Sequence, residues 1–183
     1  MILYELDAIN EQYFSPYTWR ILMALNHKGL YEKVERIQVK FSDKSPISHK
    51  GFNTVPVLED NKNWVGESLQ IAKYLDETYP DKPSLFSSKE NMHLTSLINL
   101  YMDPKILSIL ARIIVADVYK VIQPDDKIYF RATREKMLNK TLEEVEQESK
   151  KFIPIFQKEI NPFRKLLKNN DFFTGNKPRY CDY

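Results

Sequence analysis

The chain has 183 residues and a formal net charge of +2, with 43% apolar and 13% aromatic residues. This length can bury a sizeable core, and this composition excludes a disordered chain. Acidic and basic residues are interspersed, which gives no basic stripe for nucleic acid, and no apolar run approaches the roughly 20 residues of a membrane helix. Since no secretion signal begins the sequence, we expect a soluble cytoplasmic protein that binds neither nucleic acid nor membrane.

The single cysteine, Cys181, sets the redox expectation. It cannot form a disulfide within the chain, which favours a reducing compartment. Because the chain has no Cys-x-x-Cys pair, a thioredoxin-type dithiol mechanism is excluded. His27 and His93 lack partner acids or cysteines at ligand spacing, so we predict no metal site.

The strongest local signal is a turn and the helix that follows it. Residues 1–6 predict a strand, and Ser15 followed by Pro16 is typical of a helix start. The stop signal Lys28-Gly29 ends the predicted helix at residue 28. Such a helix presents free backbone N–H groups beside the Ser15 hydroxyl, which favours an anion there. Helix capping alone is the alternative role of Ser15.

The next stretch predicts the rest of a small sheet. Alternating apolar residues over 34–41 indicate a second strand, and the polar stretch 42–53 has room for at most a short helix. Residues 54–58 and 64–65 predict an antiparallel pair joined by a polar turn. A helix that starts at Ser68 completes the order. A strand–helix–strand unit followed by a hairpin and a helix is a thioredoxin-like α/β arrangement.

Pro56 falls inside the third predicted strand, where a proline cannot donate a ladder hydrogen bond. A cis bond between Val55 and Pro56 resolves this conflict, since cis prolines usually lie in tight functional turns. We therefore predict a cis bond just before the strand.

The second half of the chain predicts helices only. We place a thioredoxin-like domain at 1–83 and an all-helical domain at 84–183. The first helical stretch, 89–123, is expected to bend or restart at Asp103-Pro104. A second helix is predicted over about 125–139.

A third long helix begins with a strong signal and contains two weak points. Thr141 and Glu144 have the spacing of a capping box. Pro154 and Pro162 follow within the same helical pattern. Because an interior proline removes a hydrogen bond and crowds the preceding turn, we expect them to kink or break the helix.

Three short sequence motifs occur along the first half of the chain. They are Ser15-Pro16-Tyr17, Thr54-Val55-Pro56-Val57-Leu58 and Glu67-Ser68. Together they resemble the amino-terminal domain of cytosolic glutathione transferases. The longer strings FSPYTWRILMALNHKGL (residues 14–30), IAKYLDETYPDKPSLF (71–86) and YFRATREKMLNKTLEEV (129–145) are similar to the etherase-like branch, to which the lignin β-etherases are related.

The resemblance implies a GST-like fold, glutathione as co-substrate, and Ser15 as the residue that activates the glutathione thiol. A hydroxyl donating to a thiolate contributes roughly 1.5–3 kcal/mol, and a helix N-terminus adds roughly 0.3–1 kcal/mol. Together they lower a thiol pKa of about 8.5 by about two units without a cationic base. Tyr13 or Tyr17 is the alternative donor, although packing is the favoured role for both rings.

The resemblance also implies the other contacts with glutathione. Val55 would pair its backbone N–H and C=O with the cysteinyl unit as an added strand. Ser68, at a helix start, would receive the γ-glutamyl carboxylate, and Glu67 would hold the ligand's ammonium group. Simple helix capping is the alternative role of Glu67 and Ser68.

The glycyl carboxylate of glutathione needs a cation. Basic residues on the loop before Val55 are the candidates: Lys40, Lys44, His49 and Lys50. We choose Lys44, with a solvated lysine-rich loop as the alternative.

The implied reaction is thiolate attack on a small hydrophobic electrophile, for which an aryl ether is one candidate. A GST-like binding or dimerisation module without turnover is the alternative, as is a glutathione-dependent isomerase or dehalogenase on the same scaffold. Homodimer formation is a further expectation. Members of the family continue with several more helices, so the helical domain is expected to be incomplete in this sequence.

Overall fold

The computed structural model describes residues 1–11 and 13–183. The chain forms two compact units, Met1–Ser88 together with Tyr183, and Lys89–Asp182. Each unit is described by itself below, and a domain boundary after residue 83 stays a prediction.

The first unit is built on a four-stranded sheet. Its strands are β1 (Ile2–Leu6), β2 (Glu35–Val39), β3 (Val57–Asp60) and β4 (Asn63–Gly66), in the order β2-β1-β3-β4. β1 and β2 are parallel, whereas β3 is antiparallel to both β1 and β4. The predicted strand–helix–strand unit followed by a hairpin is confirmed.

The helices of this unit are α1 (Pro16–His27), the short α2 (Ser45–Ser48) and α3 (Ser68–Thr78), with 3-10 turns at Ile9–Glu11 and Tyr31–Lys33. Leu3, Ile21, Leu25, Ile71 and Leu75 are fully buried. A second apolar cluster contains Tyr4, Val39, Ile47 and Val57, with Val55 and Phe52 packed against it. Both faces of the sheet are therefore covered, as in a thioredoxin-like domain.

The register of the strands brings several chain segments to one end of the sheet, where β1, β2 and β4 finish and β3 begins. Val57, the first residue of β3, pairs with Tyr4 on one side and with Gly66 on the other. β2 ends at Val39, opposite Leu6. Because α3 follows β4 directly, it begins at the end of the sheet where β3 starts.

The third strand begins later than predicted. The bond between Val55 and Pro56 is cis, as the sequence predicts. Pro56 has no N–H to donate, so the ladder starts at Val57. The strand runs on to Asp60 because Asn61 and Lys62, with φ of 49° and 70°, form a two-residue hairpin turn.

The second unit consists of helices and helical turns, with a non-helical segment that contains an isolated bridge between Phe172 and Gly175. It contains α4 (Lys89–Tyr101), a π-helical segment (Met102–Leu107), α5 (Ser108–Val121), a 3-10 turn (Pro124–Asp126), α6 (Lys127–Leu138), α7 (Leu142–Leu166) and a final 3-10 turn (Tyr180–Asp182). The π-helical segment contains Pro104, where the sequence predicts a bend or restart. The capping box of Thr141 and Glu144 is also present.

Of the predicted kink or break at Pro154 and Pro162, the break is wrong. α7 continues through both residues to Leu166. Each proline leaves one carbonyl without its helical donor, at Lys150 and Lys158. Both lysines are exposed, so water can hydrate these carbonyls and the helix persists.

Within the described part of the chain, no helix combines the length and apolar character needed to cross a membrane.

Candidate functional site

Ser15 lies at the start of α1, where sequence reasoning places the reactive turn. Its backbone is extended, with φ −70° and ψ 116°, and its Oγ accepts the N–H of Thr18 at 3.3 Å. The N–H of Trp19 donates to the Ser15 carbonyl at 3.1 Å. Among the described residues Ser15 Oγ makes no further hydrogen bond, so its proton is available to an acceptor that approaches the turn.

The surroundings of Ser15 favour a negative charge. Ser15 is only 7% exposed, and a hydrogen bond in such a place is stronger than one in water. α1 has no acidic residue in its first turn, so no carboxylate offsets the positive end of the helix dipole. An anion that reached the Ser15 hydroxyl would be stabilised both by that hydroxyl and by the helix.

Val55 offers a free stretch of backbone beside the start of β3. Its N–H and C=O make no hydrogen bond to any of the described residues, whereas Val57 is already within the ladder. The Val55 side chain packs against the buried cluster of Tyr4, Val39, Ile47 and Val57. The residue is therefore fixed by its side chain while its backbone groups are left for an extended ligand.

Glu67 and Ser68 form the turn into α3. Glu67 has φ 62° and ψ 127°, a conformation that costs a non-glycine residue of order 1–3 kcal/mol and often marks a functional site. Its side chain makes no capping hydrogen bond. Ser68 is 6% exposed and begins the helix, so the first N–H groups of α3 are left for an outside acceptor.

Lys44 lies at the N-terminal end of α2. Its ammonium donates to the carbonyl of Lys40 and lies 5.7 Å from the centre of the Phe41 ring. His49 and Lys50, two of the other candidates for the same role, both contact the Trp64 ring. A carboxylate would thus share Lys44 with the Lys40 carbonyl, and it would share His49 with the Ser45 carbonyl, which lies 3.4 Å from Nδ1.

Tyr13 and Tyr17, the alternative donors, both have their rings next to arginines. The guanidinium carbon of Arg36 lies 3.8 Å from the centre of the Tyr13 ring, and that of Arg20 lies 5.2 Å from the centre of the Tyr17 ring. These contacts agree with a packing role for both rings.

The sheet register brings Val55 close to the turn of Glu67 and Ser68, because β3 begins where β4 ends. Ser15 lies in the segment between β1 and α1. Lys44 follows the end of β2, and its ammonium is bonded within its own loop. Across the described residues, no group of three or more His, Cys, Asp or Glu side chains could hold a metal ion.

Sequence reasoning missed an ion pair next to the Ser15 turn. Glu5 of β1, which is 1% exposed, accepts two hydrogen bonds from Arg36 of β2. Burial acts to lower the pKa of Arg36, but the hydrogen bonds with Glu5 raise it above its ordinary value, so Arg36 keeps its positive charge. The available signal was a lone carboxylate that shares the buried face of a strand with Leu3.

Sequence reasoning also missed a close contact below Glu67. A Cβ on Gly66 would lie 2.7 Å from two ring atoms of Phe52. Only a glycine lets the end of β4 pass this ring, which in turn packs against the cluster that holds Val55.

Comparison with known proteins agrees with this geometry. Residues 14–78 match the glutathione S-transferase N-terminal domain family, and residues 94–183 match the glutathione S-transferase C-terminal domain family. A glutathione transferase of Phanerochaete chrysosporium superposes with a TM-score of 0.88 at 29% identity, covering 98% of this chain and 79% of that one. A glutathione S-transferase of Ceriporiopsis subvermispora, solved in complex with glutathione, gives 0.89 at 25% identity, covering 98% and 80%.

Curated relatives match over a shorter length. Glutathione S-transferase L3 of Arabidopsis thaliana is 37% identical over 78 residues, which is 40% of this chain and 32% of the relative. The matched segment thus spans about a third of that protein's length.

The thioredoxin-like unit and the helical unit together define a GST-like fold. The N-terminal and C-terminal domain families of glutathione S-transferases together match most of the chain, so the chain belongs to the glutathione S-transferase family.

Proposed function

We propose that this protein binds glutathione and activates its thiol for attack on a small hydrophobic electrophile. The observation that carries the proposal is the uncommitted Ser15 hydroxyl at the start of a helix whose first turn has no acid. The glutathione complex of the Ceriporiopsis relative supports the choice of ligand.

Ser15 supplies the activation in this proposal. Its Oγ donates to the thiolate while Thr18 N–H occupies one of its lone pairs, which fixes the direction of the proton. A hydrogen bond to a charged acceptor contributes roughly 1.5–3 kcal/mol, which corresponds to a lowering of the thiol pKa by about one to two units.

The other proposed residues bind and orient the tripeptide. Val55 pairs with the cysteinyl unit through its free N–H and C=O. Ser68 and the first N–H groups of α3 receive the γ-glutamyl carboxylate, and Glu67 holds the ammonium group. Lys44 is proposed for the glycyl carboxylate, which would share the lysine ammonium with the Lys40 carbonyl.

The proposal also covers the electrophile, the cellular location and the oligomeric state. An aryl ether is proposed because the strings at 14–30, 71–86 and 129–145 resemble the etherase-like branch. Two assays separate these possibilities. Release of a phenol from an aryl ether would indicate ether cleavage, whereas conjugation of an activated aryl halide alone would indicate a general transferase. A cytoplasmic location and a homodimer also remain proposals.

Two measurements on one variant test the main proposal. We expect Ser15→Ala to keep its retention on immobilised glutathione and to lose most of its conjugation rate. Ser45→Ala is the matched control, since Ser45 also starts a helix and precedes a proline but is exposed. Failure of the unmodified protein to bind glutathione would contradict the proposal and favour a non-catalytic module.

A further inference from the structure

The turn that carries Ser15 is attached to the sheet by a chain of three side chains. It begins at Glu5, whose buried carboxylate accepts Arg36 Nε at 2.7 Å and Arg36 Nη2 at 2.9 Å. This two-point contact fixes the plane of the guanidinium, which a lysine could not do.

The fixed guanidinium then supports Tyr13. Arg36 Cζ lies 3.8 Å from the centre of the Tyr13 ring, so the two planar groups are in close contact. The carbonyl of Tyr13 accepts the indole N–H of Trp19 at 2.9 Å. Tyr13 is therefore held on one side by β2 and on the other by α1, two residues before Ser15.

Phe14, which lies between Tyr13 and Ser15, is held in a similar way. The Phe14 ring stacks on that of Phe41, with a centroid distance of 6.0 Å and an interplanar angle of 2°. Phe41 lies two residues after β2 and is buried. Both residues that precede Ser15 thus rest on side chains of β2 or of the segment directly after it.

We infer that Arg36 is a positioning residue for the Ser15 hydroxyl and acts through the ring of Tyr13. The inference rests on the proposed function, because the property it controls is the acidity of the bound glutathione thiol. Glu5 sets the guanidinium plane, the guanidinium sets the ring, and the ring sets the turn in which Ser15 meets Thr18 N–H. A small displacement of such a turn weakens a directed hydrogen bond more than it weakens the binding of the rest of the ligand.

The test compares two variants of Tyr13 by the ultraviolet absorbance of the bound thiolate as a function of pH. Tyr13→Phe keeps the ring on Arg36, so we expect the pKa of the bound thiol to stay unchanged. Tyr13→Leu removes the ring but leaves the Glu5–Arg36 pair intact, and we expect that pKa to rise by about one unit. Measured below the pKa of the bound thiol, the dissociation constant for glutathione should change less than about threefold.

A second arm acts on the arginine. Arg36→Lys leaves a cation near the buried Glu5, so the fold is retained, but it removes the fork and the planar contact. We expect it to raise the pKa of the bound thiol in the same direction as Tyr13→Leu. Phe152→Leu, which removes a ring from Arg112 in the helical unit, should leave that pKa unchanged.

The outcomes separate this inference from the proposed function. If Tyr13→Leu and Arg36→Lys lower the melting temperature but leave the thiol pKa unchanged, the contact is structural only and the inference fails. If Tyr13→Phe raises the thiol pKa, the phenol itself is the donor and the inference also fails. The proposed function fails separately, if replacement of Ser15 leaves the thiol pKa where it was.

Discussion

Lys28 and Asp76 form an enclosed ion pair, with Nζ 2.8 Å from Oδ1 and the lysine side chain 1% exposed. Lys28 follows the last turn of α1, and Asp76 lies in the last turns of α3. Asp76 also accepts hydrogen bonds from Ser84 Oγ and Leu85 N–H at 2.9 and 2.8 Å. One carboxylate thus joins α1, α3 and the segment after α3.

Loss of this carboxylate should destabilise the first unit strongly. Asp76→Asn leaves the buried Lys28 ammonium without a counter-charge, and removal of one partner from a buried pair costs about 3–5 kcal/mol. We expect a loss of unfolding free energy near the lower end of this range, because the amide oxygen of the substituted asparagine can still accept hydrogen bonds. Urea unfolding measures it, with Asp81→Asn as the exposed control. Equal stability of the two variants would show that the pair contributes little.

The same pair predicts how stability depends on pH. Burial acts to raise the pKa of Asp76, but hydrogen bonds from Lys28, Leu85 N–H and Ser84 bring it below its ordinary value. The stabilisation is therefore complete above the unfolded pKa of about 3.9 and is lost as pH falls through the lower folded pKa. The difference in unfolding free energy between the unmodified protein and Asp76→Asn should shrink below about pH 4. A difference that stays constant down to pH 2 would contradict this.

Gly66 should resist replacement because of Phe52 rather than because of its backbone angles. The added methyl of Gly66→Ala would lie 2.7 Å from the ring, and overpacking of this kind costs about 1–3 kcal/mol. We also expect weaker binding of glutathione, since Glu67 follows directly. Both effects should be smaller in a Phe52→Leu background, which a double-mutant cycle measures. Additive effects would argue against the contact.

Thr18 carries a buried hydroxyl for which the described residues provide no hydrogen-bond partner. Thr18→Val replaces it by a methyl of similar shape and leaves the backbone N–H that donates to Ser15. Because an unpaired buried hydroxyl is unfavourable, we expect the variant to be as stable as the unmodified protein or more stable by about 1 kcal/mol. Thermal unfolding checks this. A loss of stability would mean that the hydroxyl has an acceptor in solution.

Ser68 should matter more for the ligand than for the fold. Glu67, rather than Ser68, occupies the capping position of α3, and Ser68 makes no side-chain hydrogen bond with the described residues. We expect Ser68→Ala to weaken glutathione binding by about tenfold while the melting temperature changes little. Parallel titration and melting measurements decide this. Equal losses in both would reduce Ser68 to a structural role.

Much of the fold could be predicted because local signals agree with it. Ser15-Pro16 marks the start of α1, and Thr141 with Glu144 marks the start of α7. The cis bond before Pro56 was predictable because a strand and a proline conflict at that point. Such signals lie within a few residues of the feature that they determine.

The features that sequence reasoning missed depend on distant residues. The pairing of Glu5 with Arg36 follows from the β1–β2 register, which brings together residues 31 apart in sequence. The contact of Gly66 with Phe52 joins the last residue of β4 to a ring that precedes β3 in the chain. The prolines of α7 do not break the helix because the cost of a free carbonyl depends on its exposure to water, which sequence does not give directly.

The acidity of the bound glutathione thiol in Ser15→Gly tests the central proposal most directly. Glycine is nearly as good as serine at a helix start, costing only a few tenths of a kcal/mol, so the change removes the hydroxyl with little effect on α1. Thiolate absorbance as a function of pH should show the pKa of the bound thiol rising by about one to two units, with no rise in Ser45→Gly. A bound thiol that stays equally acidic in Ser15→Gly would contradict the role of Ser15.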